Sequence, residues 1–166
     1  MREPPTQEEL RKLFHYSPVT GLMTRKVCTA NRHTEGELVG TYGARGYLQV
    51  GIYSKKYPAH RIIWCWMTGS WPEHDVDHIN RNRSDNRWEN LRAVTRSENN
   101  HNLGMSRRNK SGHKGVHWDK ARGKWLVNIR ADGKTHHIGR YDDLETAAAA
   151  YQTAKRVYHP TAPNHA

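Results

Sequence analysis

The stretch Asp75–Asn102, with the sequence DVDHINRNRSDNRWENLRAVTRSENNHN, constrains the fold most strongly. It holds two short apolar runs, one around Val76 and one at 91–94, separated by a polar segment without cysteine. These runs predict a strand at about 75–79, a loop, a second strand at about 91–95, and a helix from about 96. The order strand–loop–strand–helix predicts a small ββα unit that is held together by packing.

Several polar residues of this unit are of the types that bind metal ions and transfer protons. The predicted order brings Asp77 and His78 close to Asn99 on the helix. A carboxylate and an amide oxygen are hard ligands that suit Mg²⁺ or Mn²⁺, and a neighbouring histidine can take a proton from water. The pattern therefore indicates a one-metal site for phosphodiester hydrolysis. Asn100 and His101 remain open as alternatives for the helix ligand, and each single residue could instead make only a local hydrogen bond.

The segments VDHIN, DNRWENLR and TRSENNHN resemble the HNH endonuclease family in its ββα-metal form. The resemblance implies that Asp77 binds the metal and that His78 is the general base. It further implies that Asn90 orders the loop and that Asn99 is the second metal ligand. The chain lacks the CxxC pairs that bind zinc in some members.

The segment before this unit is predicted to be a mixed helix–strand region. Thr6 begins a capping box before a helix at about 7–15. Strands are expected over Leu22–Val27 and Tyr47–Tyr53, followed by a turn at 54–56, and an apolar helix over Ala59–Met67. Its start and end are similar to the N-terminal region of phage HNH proteins, which implies that it packs on the ββα unit.

A second module is predicted from His113 onward. It has strands beginning at Gly115, over Trp125–Arg130 and over 136–141, with a hairpin turn at Asp132-Gly133, and then a helix at about 143–158. Three antiparallel strands backed by one helix leave one sheet face exposed. Because a sheet can enter the major groove of DNA, this face is a candidate DNA-binding surface.

The residues KGVHWDKARGKWLVNIR and HHIGRYDDLETAAAAYQTAKRVYHP resemble the plant ethylene-response-factor domain, also called the Apetala-type domain. The resemblance implies contacts to DNA from seven positions, which are Lys114, His117, Arg122, Lys124, Asn128, Arg130 and His137. The alternative is a structural sheet whose basic face is only solvated.

The chain is thus predicted to be an α+β protein with an HNH unit at 1–102, a linker at 103–112, a DNA-binding module at 113–160 and a tail at 161–166. Its net charge of +11 favours a polyanionic partner, which we expect to be double-stranded DNA. Cys28 and Cys65 are interpreted as reduced thiols, and no segment is apolar enough to span a membrane.

These features predict a metal-dependent DNA endonuclease that uses Mg²⁺ or Mn²⁺ and nicks one strand per active site. We expect it in the cytoplasm, that of the bacterial host if the chain is phage-encoded. Whether it is a monomer or a homodimer stays open. The alternative function is a non-catalytic DNA-binding or regulatory protein with a vestigial nuclease unit.

Overall fold

The computed structural model of the chain describes residues 3–27, 33–102, 104–106 and 108–160. Helices and short antiparallel strands alternate in these residues, which confirms the predicted α+β class. The chain divides into two compact units, Met1–Thr95 and Arg96–Ala166. No helix in the described ranges is long and apolar enough to cross a bilayer.

The first unit consists of short elements paired as small sheets. In chain order they are α1 (Gln7–Leu13), β1 (Phe14–Tyr16), β2 (Met23–Arg25), β3 (Thr41–Tyr42), β4 (Leu48–Ile52), β5 (Lys55–Pro58), α2 (Ala59–Thr68), β6 (Asp75–His78), a 3₁₀ turn (Trp88–Asn90) and β7 (Leu91–Val94). Strands β1 and β2 form one antiparallel pair, β3, β4 and β5 form a three-stranded sheet in that order, and β6 pairs with β7.

The first helix begins at the predicted capping box but ends earlier than its apolar spacing suggested. The Thr6 hydroxyl accepts from the Glu9 amide at 3.3 Å, and the Glu9 carboxylate accepts from the Thr6 amide at 2.8 Å. The prediction that the helix continues to residue 15 is wrong. Phe14 has an extended backbone and pairs with Arg25 across β1 and β2, so strand pairing replaces the last helical turn.

The turn before α2 also differs from its predicted position. It lies at Tyr53 and Ser54, which have φ values of 50° and 65°, and β5 already begins at Lys55. The predicted helix over Ala59–Met67 is confirmed and ends at Gly69, whose φ of 93° allows a left-handed cap.

One hydrophobic cluster joins all parts of the first unit. It brings Leu10 and Phe14 together with Ile62 and Ile63 of α2 and with Val76 and Leu91 of the β6–β7 hairpin. The N-terminal segment therefore packs on this hairpin, as the sequence predicted. Cys65 is a buried free thiol within the same cluster, whereas Cys28 lies outside the described residues.

The second unit begins with α3 (Arg96–Asn102) and continues with the predicted three-stranded sheet and its helix. These elements are β8 (Val116–Asp119), β9 (Lys124–Ala131), β10 (Lys134–Tyr141) and α4 (Leu144–Tyr158), with β9 in the centre of the sheet. Val127 and Ile129 face Ala147 and Tyr151 in the core. Asp143 caps α4 by accepting from the Thr146 amide at 2.7 Å.

Gly115 marks the closest approach of the chain to α4. Its φ is +73°, and a methyl group added there would collide with the Tyr151 ring and lie 2.6 Å from the Asn128 carbonyl oxygen. Gly123 has a similar φ of +60°, but nothing lies within 4 Å of an added methyl group.

We expect Gly115→Ala to destabilise the second unit by about 2 kcal/mol more than Gly123→Ala, because only the first adds overpacking to the backbone strain. Hydrogen exchange of the β9 amides in the full chain measures the difference, and equal losses would contradict it.

His60 makes the stability of the first unit dependent on pH. Burial lowers the pKa of His60 to about 3, together with the repulsion that a protonated His78 and Arg61 would exert, whereas Asp75 raises it. In the unfolded chain His60 binds a proton with the ordinary pKa of about 6.5, whereas in the folded chain it stays neutral down to a much lower pH.

The stability that neutral His60 contributes is therefore fully present above about pH 6.5, and it is lost as the pH falls from there towards about 3. Between pH 7 and pH 5 we expect a loss of about 2 kcal/mol from this residue. Urea unfolding at both values measures it; His60→Phe should lose correspondingly less than the wild type, and an equal loss would refute the assignment.

Candidate active site

The β6–β7 hairpin positions the two adjacent residues Asp77 and His78. In its register Asp77 lies opposite Arg92, and His78 lies opposite Leu91. Burial alternates along β6, so that Val76 and His78 are buried while Asp75 and Asp77 are half-buried. The hairpin thus sets the His78 ring into the interior of the first unit and leaves the Asp77 carboxylate nearer to solvent.

Asn90 closes the loop that connects the two strands. Its side-chain oxygen accepts from the Asn80 amide at 2.9 Å, and its side-chain nitrogen donates to the Asp85 carbonyl at 2.7 Å. Its own carbonyl accepts from the Ile79 amide at 2.8 Å. One buried amide side chain therefore joins both ends of the loop, which is the geometry that an ordering role requires.

The same loop is stiffened by an ion pair. Asp85 accepts from the Arg87 guanidinium at 2.7 and 2.9 Å and from the Asn80 side chain at 2.7 Å. The hydrogen bonds from Arg87 lower the pKa of Asp85 to about 2, so the carboxylate is charged near neutral pH. Arg87 also reaches Glu89 at 2.8 Å. Arg87 therefore pairs with two carboxylates of its own loop.

Asn86 determines the tautomer of the His78 ring. The His78 Nε2 lies 3.2 Å from the Asn86 side-chain oxygen, and the Asn86 side-chain nitrogen faces the Ser84 carbonyl at 3.4 Å. An amide oxygen only accepts, so the pairing selects the tautomer with the proton on Nε2. The lone pair of the His78 ring is then on Nδ1.

His78 is also kept neutral by its surroundings. Burial lowers its pKa below the ordinary histidine value, although the hydrogen bond to Asn86 and the charges of Asp77 and Asp85 oppose the shift. The ring packs against two others, with centroids 5.1 Å from His60 and 5.9 Å from Tyr47. A buried imidazole that is neutral near pH 7 is suited to general-base chemistry.

Asp77 is held by an arginine across the hairpin. The Arg92 guanidinium donates to one Asp77 oxygen at 2.9 and 3.2 Å, and both side chains are largely buried. The described residues contain no cluster of three or more His, Cys, Asp or Glu side chains that could hold a metal ion. The Asp77 carboxylate is a hard oxygen ligand of the kind that divalent cations bind in proteins.

Asn99, the residue predicted as a second ligand, lies on α3 in the second unit and is half-buried. Its neighbour Asn100 is exposed. The assignment of Asn99 rather than its neighbours as a ligand stays a prediction.

A second polar surface lies on the exposed face of the β8–β9–β10 sheet. Here His117, Asn128 and His137 form a connected row, with ring nitrogens 3.3 and 3.2 Å from the Asn128 side chain. Arg140 extends the row, at 3.3 Å from His137 and 3.2 Å from the Asp119 carboxylate. Arg140 and Asp119 were not among the predicted contacts, although the strand register places them on this face.

The other four residues that were predicted to contact DNA lie in different surroundings. Arg130 is exposed, and the alternation along β9 places it on the same face as Asn128. Lys124 pairs with Asp142 at 2.9 Å, and Arg122 lies 3.5 Å from Asp119. Lys114 is half-buried just before β8.

Comparison with known proteins agrees with the chemistry of the first unit. Residues 57–101, which span α2, the β6–β7 hairpin and most of α3, match the family described as HNH endonuclease. Protein 3.8 of Escherichia phage T7 is 33% identical over 110 residues, which cover 64% of this chain and 91% of that protein.

A solved structure of the HNH homing endonuclease I-HmuI, from work on its DNA binding and cleavage, is also similar. It is 19% identical, with a TM-score of 0.43, and the likeness covers 86% of this chain and 82% of that one. The chain therefore belongs to the family of Protein 3.8 of Escherichia phage T7, and its residues 57–101 carry the match to the HNH endonucleases.

Proposed function

We propose that the chain is a metal-dependent endonuclease that hydrolyses phosphodiester bonds in double-stranded DNA. The observation that carries the proposal is the buried His78 ring, whose Nε2 is engaged by Asn86 and whose pKa is lowered. The HNH match over residues 57–101 and the net charge of +11 support the same chemistry and the same substrate. We infer action in the cytoplasm of a bacterial host, because the curated relative is a phage protein.

His78 has the central role in this mechanism. It accepts a proton from the attacking water at Nδ1, while Asn86 keeps the ring in the tautomer whose lone pair lies on this atom. Asn90 holds the loop that carries Asn86, so it acts on the chemistry through the position of His78.

Asp77 is the proposed carboxylate ligand of the divalent ion, and Asn99 stays the sequence-based prediction for a second one. A bound Mg²⁺ or Mn²⁺ supplies Lewis-acid stabilisation of charge at the phosphate and at the leaving oxygen. Arg92 holds the Asp77 carboxylate in place, because its guanidinium makes two hydrogen bonds to one Asp77 oxygen. One such site cuts one strand, so a monomer would nick.

The exposed sheet face of the second unit is the proposed DNA-binding surface. Its connected row of His117, Asn128, His137 and Arg140 presents donors and acceptors of the kinds that read base edges. Lys114, Arg122, Lys124 and Arg130 add positive charge for phosphates. Tethered to the nuclease unit, such a module raises the effective concentration of the DNA at the active site.

Nicking of supercoiled plasmid tests the enzymatic proposal. With Mg²⁺ or Mn²⁺ the wild type should yield open circles, and a chelator should stop the reaction. His78→Ala should lower the rate by about 10²- to 10⁴-fold, because a general base is removed, yet retard DNA in a gel as the wild type does.

The matched control is His15→Ala, which removes an exposed histidine of the same unit and should nick at the wild-type rate. Retardation by the wild type without nicking under any divalent ion would instead favour the non-catalytic DNA-binding protein. Equal nicking by His78→Ala would exclude His78 as the base.

The sheet face is tested by a pair of charge-matched variants. Arg130→Ala should weaken binding to a duplex by about 10-fold and relax its steep salt dependence, since the arginine lies on the proposed surface. Arg156→Ala removes the same charge from an exposed position on α4, which packs on the opposite face of the sheet. It should bind almost as well as the wild type. Equal weakening would indicate a basic but merely solvated face, and loss of cleavage on short duplexes in proportion to binding would refute a separate binding module.

A further inference from the structure

A cavity of about 460 Å³ opens in the first unit beside the active-site rings. It lies between the turn that joins β3 to β4 and the start of α2. Its lining residues are Gly43, Ala44, Arg45, Tyr47, Gln49, Pro58 and His60. We call it the Tyr47 cavity. Nothing in the mechanism above uses it.

Two of its lining residues also contact His78. The ring centroids of His60 and Tyr47 lie 5.1 and 5.9 Å from that of His78, and 5.1 Å from each other. The rings of His60 and Tyr47 therefore lie between the cavity and the proposed general base. A group bound in the cavity lies next to the group that reacts at His78.

The charge of the cavity is positive. Arg45 lines it, and none of its lining residues is acidic. The Arg83 guanidinium lies 4.9 Å above the centre of the Tyr47 ring and donates to the Arg45 carbonyl at 2.7 Å. These contacts orient Arg83 without neutralising it, whereas Arg87 and Arg92 of the same hairpin are paired with carboxylates.

The backbone around the cavity is organised before any ligand arrives. The Gly43 amide donates to the Tyr47 carbonyl at 2.9 Å, and the Gly46 amide donates to the Gly43 carbonyl at 2.9 Å. This closed turn fixes the backbone on both sides of Arg45, whose side chain is exposed. A preformed site with two neighbouring arginines and an aromatic ring suits an anion that carries a ring with C–H faces, and one phosphate of DNA with its deoxyribose fits that description.

We propose that the Tyr47 cavity binds the phosphodiester and deoxyribose adjacent to the bond that is cut, with Arg83 and Arg45 on the phosphate and Tyr47 against the sugar. The inference rests on the proposed function, since it takes the scissile phosphate to lie beside His78. Successive phosphates of one strand are separated by a single deoxyribose, so the neighbour of a phosphate at His78 lies close to the cavity that adjoins this ring. The cavity would then determine on which side of the cut the strand is held.

The test uses a duplex containing a nicking site mapped on plasmid, with a single neutral methylphosphonate on either side of the cut bond. On the wild type, one of the two substitutions should lower kcat/KM by about 10-fold. Arg83→Gln should lower kcat/KM on the unmodified duplex by a similar factor and show no further loss with the methylphosphonate, because the same contact is already removed. Arg81→Gln, a change of equal charge at an exposed position of the same loop, should keep the full methylphosphonate effect.

Independent, multiplying effects of Arg83→Gln and the methylphosphonate would overturn the proposal, as would equal behaviour of Arg81→Gln. A second measurement separates this outcome from a failure of the proposed function. Titration of the full chain with a 12-base-pair duplex, without metal, should shift the NMR signals of the Arg83 side chain and the Tyr47 ring more than that of the Arg81 side chain, whether or not the chain cuts DNA. Absence of these shifts while the sheet face responds would also overturn it.

Discussion

The hydrogen bond between His78 and Asn86 is the contact on which the proposed chemistry depends. It fixes the ring in one tautomer, and the loop that supplies Asn86 is anchored from several sides. The Tyr16 hydroxyl donates to the Asn86 carbonyl at 2.8 Å from within the core, and burial raises the pKa of Tyr16, so it remains a donor. The Trp88 amide donates to the Pro18 carbonyl at 3.0 Å. The N-terminal segment therefore supports the active site as well as the core.

Electrostatic contacts around the hairpin separate structural arginines from available ones. Arg87 and Arg92 are engaged by Asp85 and Asp77, so most of their charge is used to order the loop and one carboxylate. Removing one partner of such a partly buried pair leaves the charge of the other uncompensated. Arg83 differs because it stacks on an aromatic ring, and a cation over a ring can still interact with an anion.

In the second unit, side chains on the surface of the sheet are ordered by contacts with one another. Its exposed sheet face carries a chain of contacts from His117 through Asn128 and His137 to Arg140. These contacts limit the rotamers of the outward side chains, so a partner that bound this face would lose less side-chain entropy on association. The core beneath is formed by Val127, Ile129 and the small residues of α4, with Gly115 allowing the Tyr151 ring to pack close to the chain.

The sequence by itself determined the parts that depend on local patterns. Alternation predicted β9 and its two faces, the capping box located the start of α1, and the spacing of VDHIN and DNRWENLR indicated the hairpin with Asp77, His78 and Asn90. These patterns are local because side-chain direction in a strand and the capping of a helix depend on neighbouring residues. Local patterns failed at Phe14, where pairing with the next strand overrides helical spacing, and at the turn before β5, where two residues adopt a positive φ.

Only the tertiary structure decided which groups meet across the chain. Asn86 is one polar residue in a polar loop until folding places its oxygen 3.2 Å from His78. His60 comes from an apolar helix and Tyr47 from the residue before a strand, and both meet His78 only when the first unit folds. The pairing of Asp77 with Arg92 requires the register of the hairpin. Contacts of this kind depend on packing between separated segments, and no local pattern of residues encodes that packing.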